Sequence, residues 1–231
     1  MSRARRRLAI IGAGRMGSAI AELAPQHDFE IVRVAGAAVR GAGITRELLD
    51  GADVAVEFTA GAAAPGIIRG CAAAGCPVVS GTTGWDAERP AVAADIMRKG
   101  GALVWAPNFS IGVRLFARIV AEAGRQFAGS AFVASIAEVH HAGKKDAPSG
   151  TAKLLQADLM QGLGREVPIE SVRTGVVVGT HTVAFDAPFE QIQLEHQAKD
   201  RRVFADGALV AARWLIGRQG VFTLDDVVAR T

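Results

Sequence analysis

Two imidazoles, two ammonium groups and a helix start crowd into one short stretch, Glu138-Val139-His140-His141-Ala142-Gly143-Lys144-Lys145-Asp146-Ala147-Pro148-Ser149-Gly150-Thr151. A histidine can give or take a proton near neutral pH. Lys144 or Lys145 can supply a full positive charge. Ser149 is a good N-cap, Pro148 fixes the chain ahead of it, and residues 152–160 have helical spacing. The backbone N–H groups around Ser149, Gly150 and Thr151 would then face outward at a helix N-terminus, which suits a carboxylate or phosphate. The chemistry implied is proton transfer beside a bound anion. A surface loop with solvated lysines and a capped helix is the other reading of these residue types. The coincidence of histidines, lysines and an anion-binding turn weighs against it.

Such groups need a strand to deliver the histidines and a helix to make the turn. Residues 131–139 read as a buried strand, so His140 and His141 leave its end pointing to opposite faces. A second glycine-rich stretch, Gly12-Ala13-Gly14-Arg15-Met16-Gly17, lies between a short apolar strand at 8–11 and an apolar helix at 18–24. In that context the first glycine allows a tight turn, the second lets a pyrophosphate approach the backbone, and the third lets helix and strand pack closely. A merely structural turn is the competing reading. Residues 29–35 form the next strand. An NAD-preferring site usually places an acid at its end, to hold the ribose 2′-hydroxyl. Here stands Gly36-Ala37-Ala38-Val39-Arg40, with Arg33 inside the strand. An arginine suits a 2′-phosphate, which favours NADPH over NADH, against a solvated loop arginine.

Strands at 51–58, 77–80 and 102–105 alternate with helices at 62–74 and 86–99. This is the doubly wound α/β pattern, whose strand-end loops bind ligands. A long amphipathic helix at 111–127 follows, then the histidine-bearing strand and a helix at 150–163. Strands at 170–178, 181–186 and 191–198 come next without helices between them, which predicts an antiparallel or mixed sheet and an α+β domain. Helices at 205–216 and 225–228 close the chain. The expected organisation is a Rossmann-type parallel-sheet domain over 1–109 and 203–231, with the second domain over 110–202.

The 231 residues are 50% hydrophobic and 21% charged, as in an ordinary soluble globular protein, and the net charge is +3. Much of that charge sits in Arg3, Arg5, Arg6 and Arg7, which read as a frayed tail before the first strand, or as an arm touching RNA or membrane. The rest is near balance, so no nucleic-acid surface is expected. No apolar run is long enough to span a bilayer or to serve as a signal core, and a cytoplasmic location is expected. Cys71 and Cys76 have no second pair and imply neither zinc nor a disulfide framework. Adjacent histidines on opposite strand faces rarely ligate one ion, so no metal is expected at His140, His141, His181 or His196.

The central stretch resembles the substrate motif of the 4-hydroxy-tetrahydrodipicolinate (dihydrodipicolinate) reductase family, Glu-x-His-His-x-x-Lys-x-Asp-Ala-Pro-Ser-Gly-Thr, with every fixed position present. Phe58-Thr59, Gly81-Thr82-Thr83-Gly84, Asn108-Phe109-Ser110-Ile111-Gly112-Val113 and Arg173-x-Gly175-x-x-x-Gly179-x-His181-Thr182 match it too. The resemblance implies an NAD(P)H-dependent reductase of diaminopimelate and lysine biosynthesis acting on a dicarboxylate cyclic substrate, assembled as a homotetramer through the second domain's sheet. It implies His140 as proton donor and Lys144 as a second catalytic group. His141 and Lys144 are placed to hold one carboxylate or polarise the ring nitrogen, and Ser149, Gly150 and Thr151 to hold the other. Phe58, Thr59, Gly81, Thr82 and Thr83 would line the cofactor beside Gly12, Gly14, Arg15, Met16, Gly17 and Arg40. Asn108, Phe109 and Ser110 would close over the nicotinamide, and Arg201, or Arg202 beside it, would be the cofactor-site hinge arginine just before the chain returns to the nucleotide-binding domain. Phe58 and Phe109 also read as core aromatics. Lys145 falls at a variable position, and Asp146 braces the loop or pairs with a lysine.

Three departures from the pattern touch cofactor choice: a glycine loop one residue short, a short stretch between the second and third strands, and an abbreviated 162–170 region. Two other functions compete. A related dehydrogenase, such as aspartate dehydrogenase, would not require the full His-His, Lys and Ser-Gly-Thr set. A nicotinamide-binding sensor without turnover would keep the glycines and lose the proton donor.

Overall fold

A computed structural model describes residues 4–36 and 43–229. The chain divides into two compact units, Met1–Ser110 with Arg202–Thr231, and Ile111–Arg201. In chain order the described elements begin β1 (Arg6–Ile11), α1 (Arg15–Leu23), β2 (Phe29–Ala35), α2 (Arg46–Leu49), β3 (Val54–Glu57), α3 (Ala64–Ala73), β4 (Val78–Ser80), α4 (Arg89–Arg98) and β5 (Ala102–Trp105). The second unit holds α5 (Ile111–Gln126), β6 (Val133–His140), α6 (Gly150–Leu163), β7 (Ile169–Arg173), β8 (Gly179–Ala187) and β9 (Glu190–Ala198). Then α7 (Arg202–Leu215), β10 (Gly220–Phe222) and α8 (Leu224–Val228) return to the first unit.

The first unit is a parallel six-stranded sheet in the order β10-β5-β4-β3-β1-β2. Its central strands are continuous apolar runs because helices cover both faces. Leu8, Ala9, Ile10 and Ile11 are all buried, as are Val54, Ala55 and Val56. Helices α3 and α4 close one core, in which Ile68, Cys71, Val92 and Ile96 meet Ala9, Ile11, Val78 and Leu103. Helix α7 packs beside α1 and over β3, β4 and β5. Two expectations change here. Arg6 and Arg7 are not a frayed tail, because they pair with Phe29 and Glu30 in the β1–β2 ladder. The Arg7 backbone N–H donates to Asp53 at 2.8 Å, which fixes the start of the strand. Strand β10 was not expected at all. Three residues carry too little periodicity to signal a strand, yet Gly220–Phe222 extends the sheet beside β5.

The second unit is a four-stranded sheet, β7-β6-β8-β9, with α5 and α6 on one face. Phe116, Val120, Leu155 and Leu159 pack there against Ile136, Val183 and Phe185. β6–β8 and β8–β9 are antiparallel, but β6–β7 is parallel. The reason lies in the connection: α6 separates β6 from β7 and carries the chain back as a crossover, which parallel strands need. The strand expected over 170–178 ends at Arg173, and β8 begins at Gly179.

Candidate active site

The period-2 alternation of β6 puts Ala134, Ile136, Glu138 and His140 on its buried face, while the intervening residues are less covered. The first two are core. The last two put a carboxylate and an imidazole at the strand's end, where apolar packing gives way to the loop before α6. The Glu138 side chain is fully buried and makes an ion pair with His140 Nδ1 through Oε2. Its Oε1 accepts from Arg173 Nη2 at 2.7 Å and from the Ser149 N–H at 3.1 Å. Burial alone would push this carboxyl up, but the bonds from Arg173 and the Ser149 N–H, with the nearby Ser171 hydroxyl and the His140 charge, outweigh it and hold it at about 2. His140 is pulled down by burial, against which Glu138 works upward, while Lys144 and Arg173 add to the lowering.

His181 enters from β8, register partner of Glu138. Its ring lies edge-on to His140 with centroids 5.1 Å apart, and its Nε2 is 3.3 Å from Ser149 Oγ. Burial, then the charges of His140, His196 and Lys144, lower His181 to about 4 against the pull of Glu138, so it is neutral at physiological pH. Contrary to the expectation that no ligand set forms at these histidines, ligand atoms of Glu138, His140 and His181 lie within 4.8 Å of one another. The Glu138 carboxylate is nonetheless already bound by a guanidinium and an N–H and paired with an imidazole, so the trio reads as a charge-paired cluster rather than a cation site.

Ser149 caps α6 as expected, accepting from the Ala152 N–H at 3.1 Å. Gly150 is exposed and Thr151 half-buried in the first turn, where intrahelical partners for N–H groups run out. Lys144 Nζ pairs with Asp146 at 2.7 Å, and Arg173 Nη2 also donates to the Asp146 carbonyl at 2.6 Å. Lys145 is exposed. His141 is half-buried, with Arg201 Nη2 3.0 Å from its Nε2. Arg201 thus belongs to the second unit and stands beside a histidine of the central stretch.

In the first unit Gly12 has φ +112°, and a Cβ there would meet the Phe58 carbonyl at 2.1 Å. A Cβ on Gly17 would meet the Gly12 carbonyl oxygen at 1.9 Å, which is why the helix needs a glycine to approach the turn. A Cβ on Gly14 would meet nothing within 4 Å. The middle glycine therefore leaves its backbone open to approach at the start of α1, as a pyrophosphate would require, and Arg15 is exposed beside it with Met16 half-buried. Phe58 and Phe109 meet edge-on at 6.0 Å, and the fully buried Phe109 is a core aromatic. Gly81 lies under the Phe58 ring, Thr83 is exposed, and the Asn108 side chain accepts from the Ser110 N–H at 2.8 Å. An open groove of about 430 Å³ runs between Gly43, Ile44 and the Ala60–Ile67 segment. Arg40 lies outside the described residues; Arg33 donates to the Leu48 carbonyl at 3.0 Å.

The sequence alone assigns no site role to four residues that matter here. Glu138, Arg173 and His181 build the network around His140. Glu57, fully buried at the end of β3, accepts from Ser80 and Thr82 hydroxyls at 2.6 Å and from the Thr59 N–H at 2.8 Å, tying together two strand-end loops. The Glu138–His140 pairing had a signal, since residues two apart on a strand share a face. The register that brings Arg173 and His181 to it had none.

Comparison with known proteins agrees over both units. Residues 6–109 match the family model "Dihydrodipicolinate reductase, N-terminus", and residues 112–228 match "Dihydrodipicolinate reductase, C-terminus". The 4-hydroxy-tetrahydrodipicolinate reductase of Stenotrophomonas maltophilia is 41% identical over 228 residues, covering 92% of each chain. That of Christiangramia forsetii is 34% identical over 236 residues, covering 96% of this chain and 97% of the relative. Among solved structures, dipicolinate-bound dihydrodipicolinate reductase from Paenisporosarcina sp. TG-14 superposes with a TM-score of 0.76 at 19% identity, over 95% of this chain and 97% of that one. By motif, fold and sequence this chain belongs to the dihydrodipicolinate reductase family.

Proposed function

We propose that this chain reduces 4-hydroxy-tetrahydrodipicolinate to tetrahydrodipicolinate with a nicotinamide cofactor, in the diaminopimelate route to lysine. The observation that carries the reading is the buried Glu138–His140 pair at the end of β6, with Ser149 capping α6 immediately beside it. A proton donor and an anion-binding helix start thereby share one small site. Overall, one hydride and one proton enter the ring system and the 4-hydroxyl leaves as water. A bound dihydronicotinamide supplies the hydride. The unobstructed backbone at Gly14 suits its pyrophosphate, with Gly12 and Gly17 keeping the turn tight.

The chain's own residues divide the remaining work. His140 donates the proton, and Lys144 stabilises negative charge that develops on the ring. Gly150 and Thr151 N–H groups, with the Thr151 hydroxyl, hold one carboxylate, and His141 with Lys144 holds the other. Lys144 must exchange its Asp146 partner for substrate. Thr59, Thr82 and Thr83 line the cofactor, held in part by Glu57. The protein acts as a cytoplasmic homotetramer; among the described residues no helix is long and apolar enough to cross a membrane.

The test is oxidation of NADPH, and then of NADH, with the unstable cyclic substrate made in situ from pyruvate and aspartate semialdehyde by its synthase. Turnover that requires the synthase product supports the reading; cofactor binding without turnover of that product overturns it. NADPH is the preferred cofactor, through Arg40 and a 2′-phosphate. Replacing Arg40 by Ala should therefore raise KM for NADPH about tenfold or more, in line with losing a charged hydrogen bond, and leave NADH nearly unchanged. Equal effects on both would remove the basis for the preference.

A further inference from the structure

We propose that Glu138 is the positioning residue of His140: it anchors Nδ1 so that Nε2 is the nitrogen that releases and regains the proton, and Arg173 holds that carboxylate in register with the substrate loop. This rests on the reading of His140 as proton donor and adds what makes that histidine competent. Glu138 and His140 are two apart on β6, both buried on the same face, with Oε2 against Nδ1. An ionised carboxylate in that position keeps a proton on Nδ1 in both charge states of the ring. In the neutral ring Nε2 carries a lone pair; in the imidazolium it carries the exchangeable hydrogen.

The surroundings favour the same division of labour. Nε2 faces the backbone of Gly179, where a Cβ would lie 2.9 Å from it. The absence of a side chain at Gly179 leaves room for the ring to sit with Nδ1 on the carboxylate. Arg173 reaches Glu138 from β7 and, through the same nitrogen, the Asp146 carbonyl of the loop that carries Lys144. One guanidinium thus couples the proton donor's anchor to the loop's backbone. The charged and titratable groups facing His140 are Glu138 on its own strand, Arg173 on β7, His181 on β8 and Lys144 on the loop. Of the groups that move its titration, Glu138 favours the imidazolium, while Lys144 and Arg173 oppose it with burial. In the step itself the Nε2–H bond breaks and a bond from that hydrogen to the substrate ring forms. The ring also receives the hydride's electron pair from the reduced nicotinamide, and His140 is left neutral with Nδ1–H still on Glu138. Solvent then returns the proton to Nε2.

The experiment compares Glu138→Gln, Glu138→Asp and His140→Gln in the full chain, measuring kcat and KM across pH together with NADPH binding. Glu138→Gln should lower kcat on the order of tenfold or more, move the alkaline limb of the kcat profile to lower pH, and leave NADPH binding unchanged. Glu138→Asp keeps the charge and should bring the limb back toward that of the parent. Parent-like kcat and limb in Glu138→Gln, with His140→Gln inactive, would overturn the role of Glu138 and leave the donor assignment standing. Parent-like turnover in His140→Gln would instead remove the donor assignment. If Glu138→Gln fails to fold, nitrogen-15 histidine NMR of the unmodified protein decides: Nδ1 of His140 should stay protonated while Nε2 titrates, and a neutral ring protonated on Nε2 would refute the proposal.

Discussion

At the scale of single residues, the site depends on charges kept where apolar packing ends. If His140 is the donor, His140→Gln should cut kcat by roughly 10²–10⁴, the usual worth of a placed general acid, with KM changed far less. Lys144→Ala should lower kcat and raise KM together, since the ammonium is assigned to both substrate and transition state. Steady-state kinetics separates the two patterns, and parent turnover in both variants would sink the assignments. The buried groups also set a pH dependence of stability. His181 stays neutral in the fold down to about 4, whereas in the unfolded chain it takes up a proton near 6.5. The unfolded state therefore binds more protons in that window, and stability falls as pH drops from 6.5 to 4, by about 3 kcal/mol for this group. Glu138 is ionised in the fold down to about 2 but protonates near 4.5 when unfolded, so a second loss follows between 4.5 and 2. Urea midpoints measured across pH should fall in both windows, and His181→Gln should flatten the upper one. An unchanged slope in that variant would mean His181 does not titrate on unfolding. His140, Lys144 and Ser149 could be picked out from the sequence because each has a distinctive side chain in a dense motif. Arg173 and His181 stand out only through the family resemblance, and strand pairing alone places them against Glu138.

At the scale of elements, the two turns proposed to hold ligands are both strand-to-helix junctions, and within the first of them the glycines do different work. Gly12 and Gly17 are required by the backbone itself: a methyl at either would strike a carbonyl oxygen at about 2 Å. Gly14 is extended, at φ −82° and ψ −169°, with open space where its side chain would be. Gly14 is the N-cap of α1 and no atom of the fold crowds it; in the proposed function its place is to let a ligand approach the backbone. Gly14→Ala should accordingly keep the melting temperature within about 2 °C, since an unstrained surface substitution shifts stability by under ~0.5 kcal/mol. It should weaken NADPH binding about tenfold or more, one blocked approach being worth at least ~1.4 kcal/mol. Unchanged binding, by fluorescence titration or calorimetry, would place the pyrophosphate elsewhere. The α/β alternation and the helix starting at Gly150 could be read from period and caps. The parallel β6–β7 pairing also follows once α6 is recognised as a crossover. β10 and the early end of β7 could not be read, because short edge segments take their conformation from their neighbours rather than from their own pattern.

At the scale of the whole molecule, the homotetramer expected from family resemblance meets an open sheet face of short and polar side chains. Over 172–178 and 181–186 the apolar side chains divide between the helix-covered core and the loops. Val183 and Phe185 are fully buried, while Val176 is 91% exposed in the turn before β8. On the far face, register rows such as Ala137, Thr182 and Glu195, or Ser135, Ala184 and Gln193, present short or polar side chains. The large apolar surface is concentrated at the rim instead, above all in Phe189, fully exposed at the β8–β9 hairpin tip. Burying a phenylalanine is worth about 1.5–3 kcal/mol, and closed symmetry would repeat that gain in every protomer. Light scattering behind gel filtration should therefore give four times the 24.0 kDa chain mass. Phe189→Asp should shift the population toward smaller species at micromolar concentration, while its circular dichroism stays that of the parent, because the ring makes no core contact to lose. A parent protein that elutes as a monomer would refute the assembly. A tetramer indifferent to Phe189→Asp would put the association energy on the polar face, in its threonine and glutamine rows.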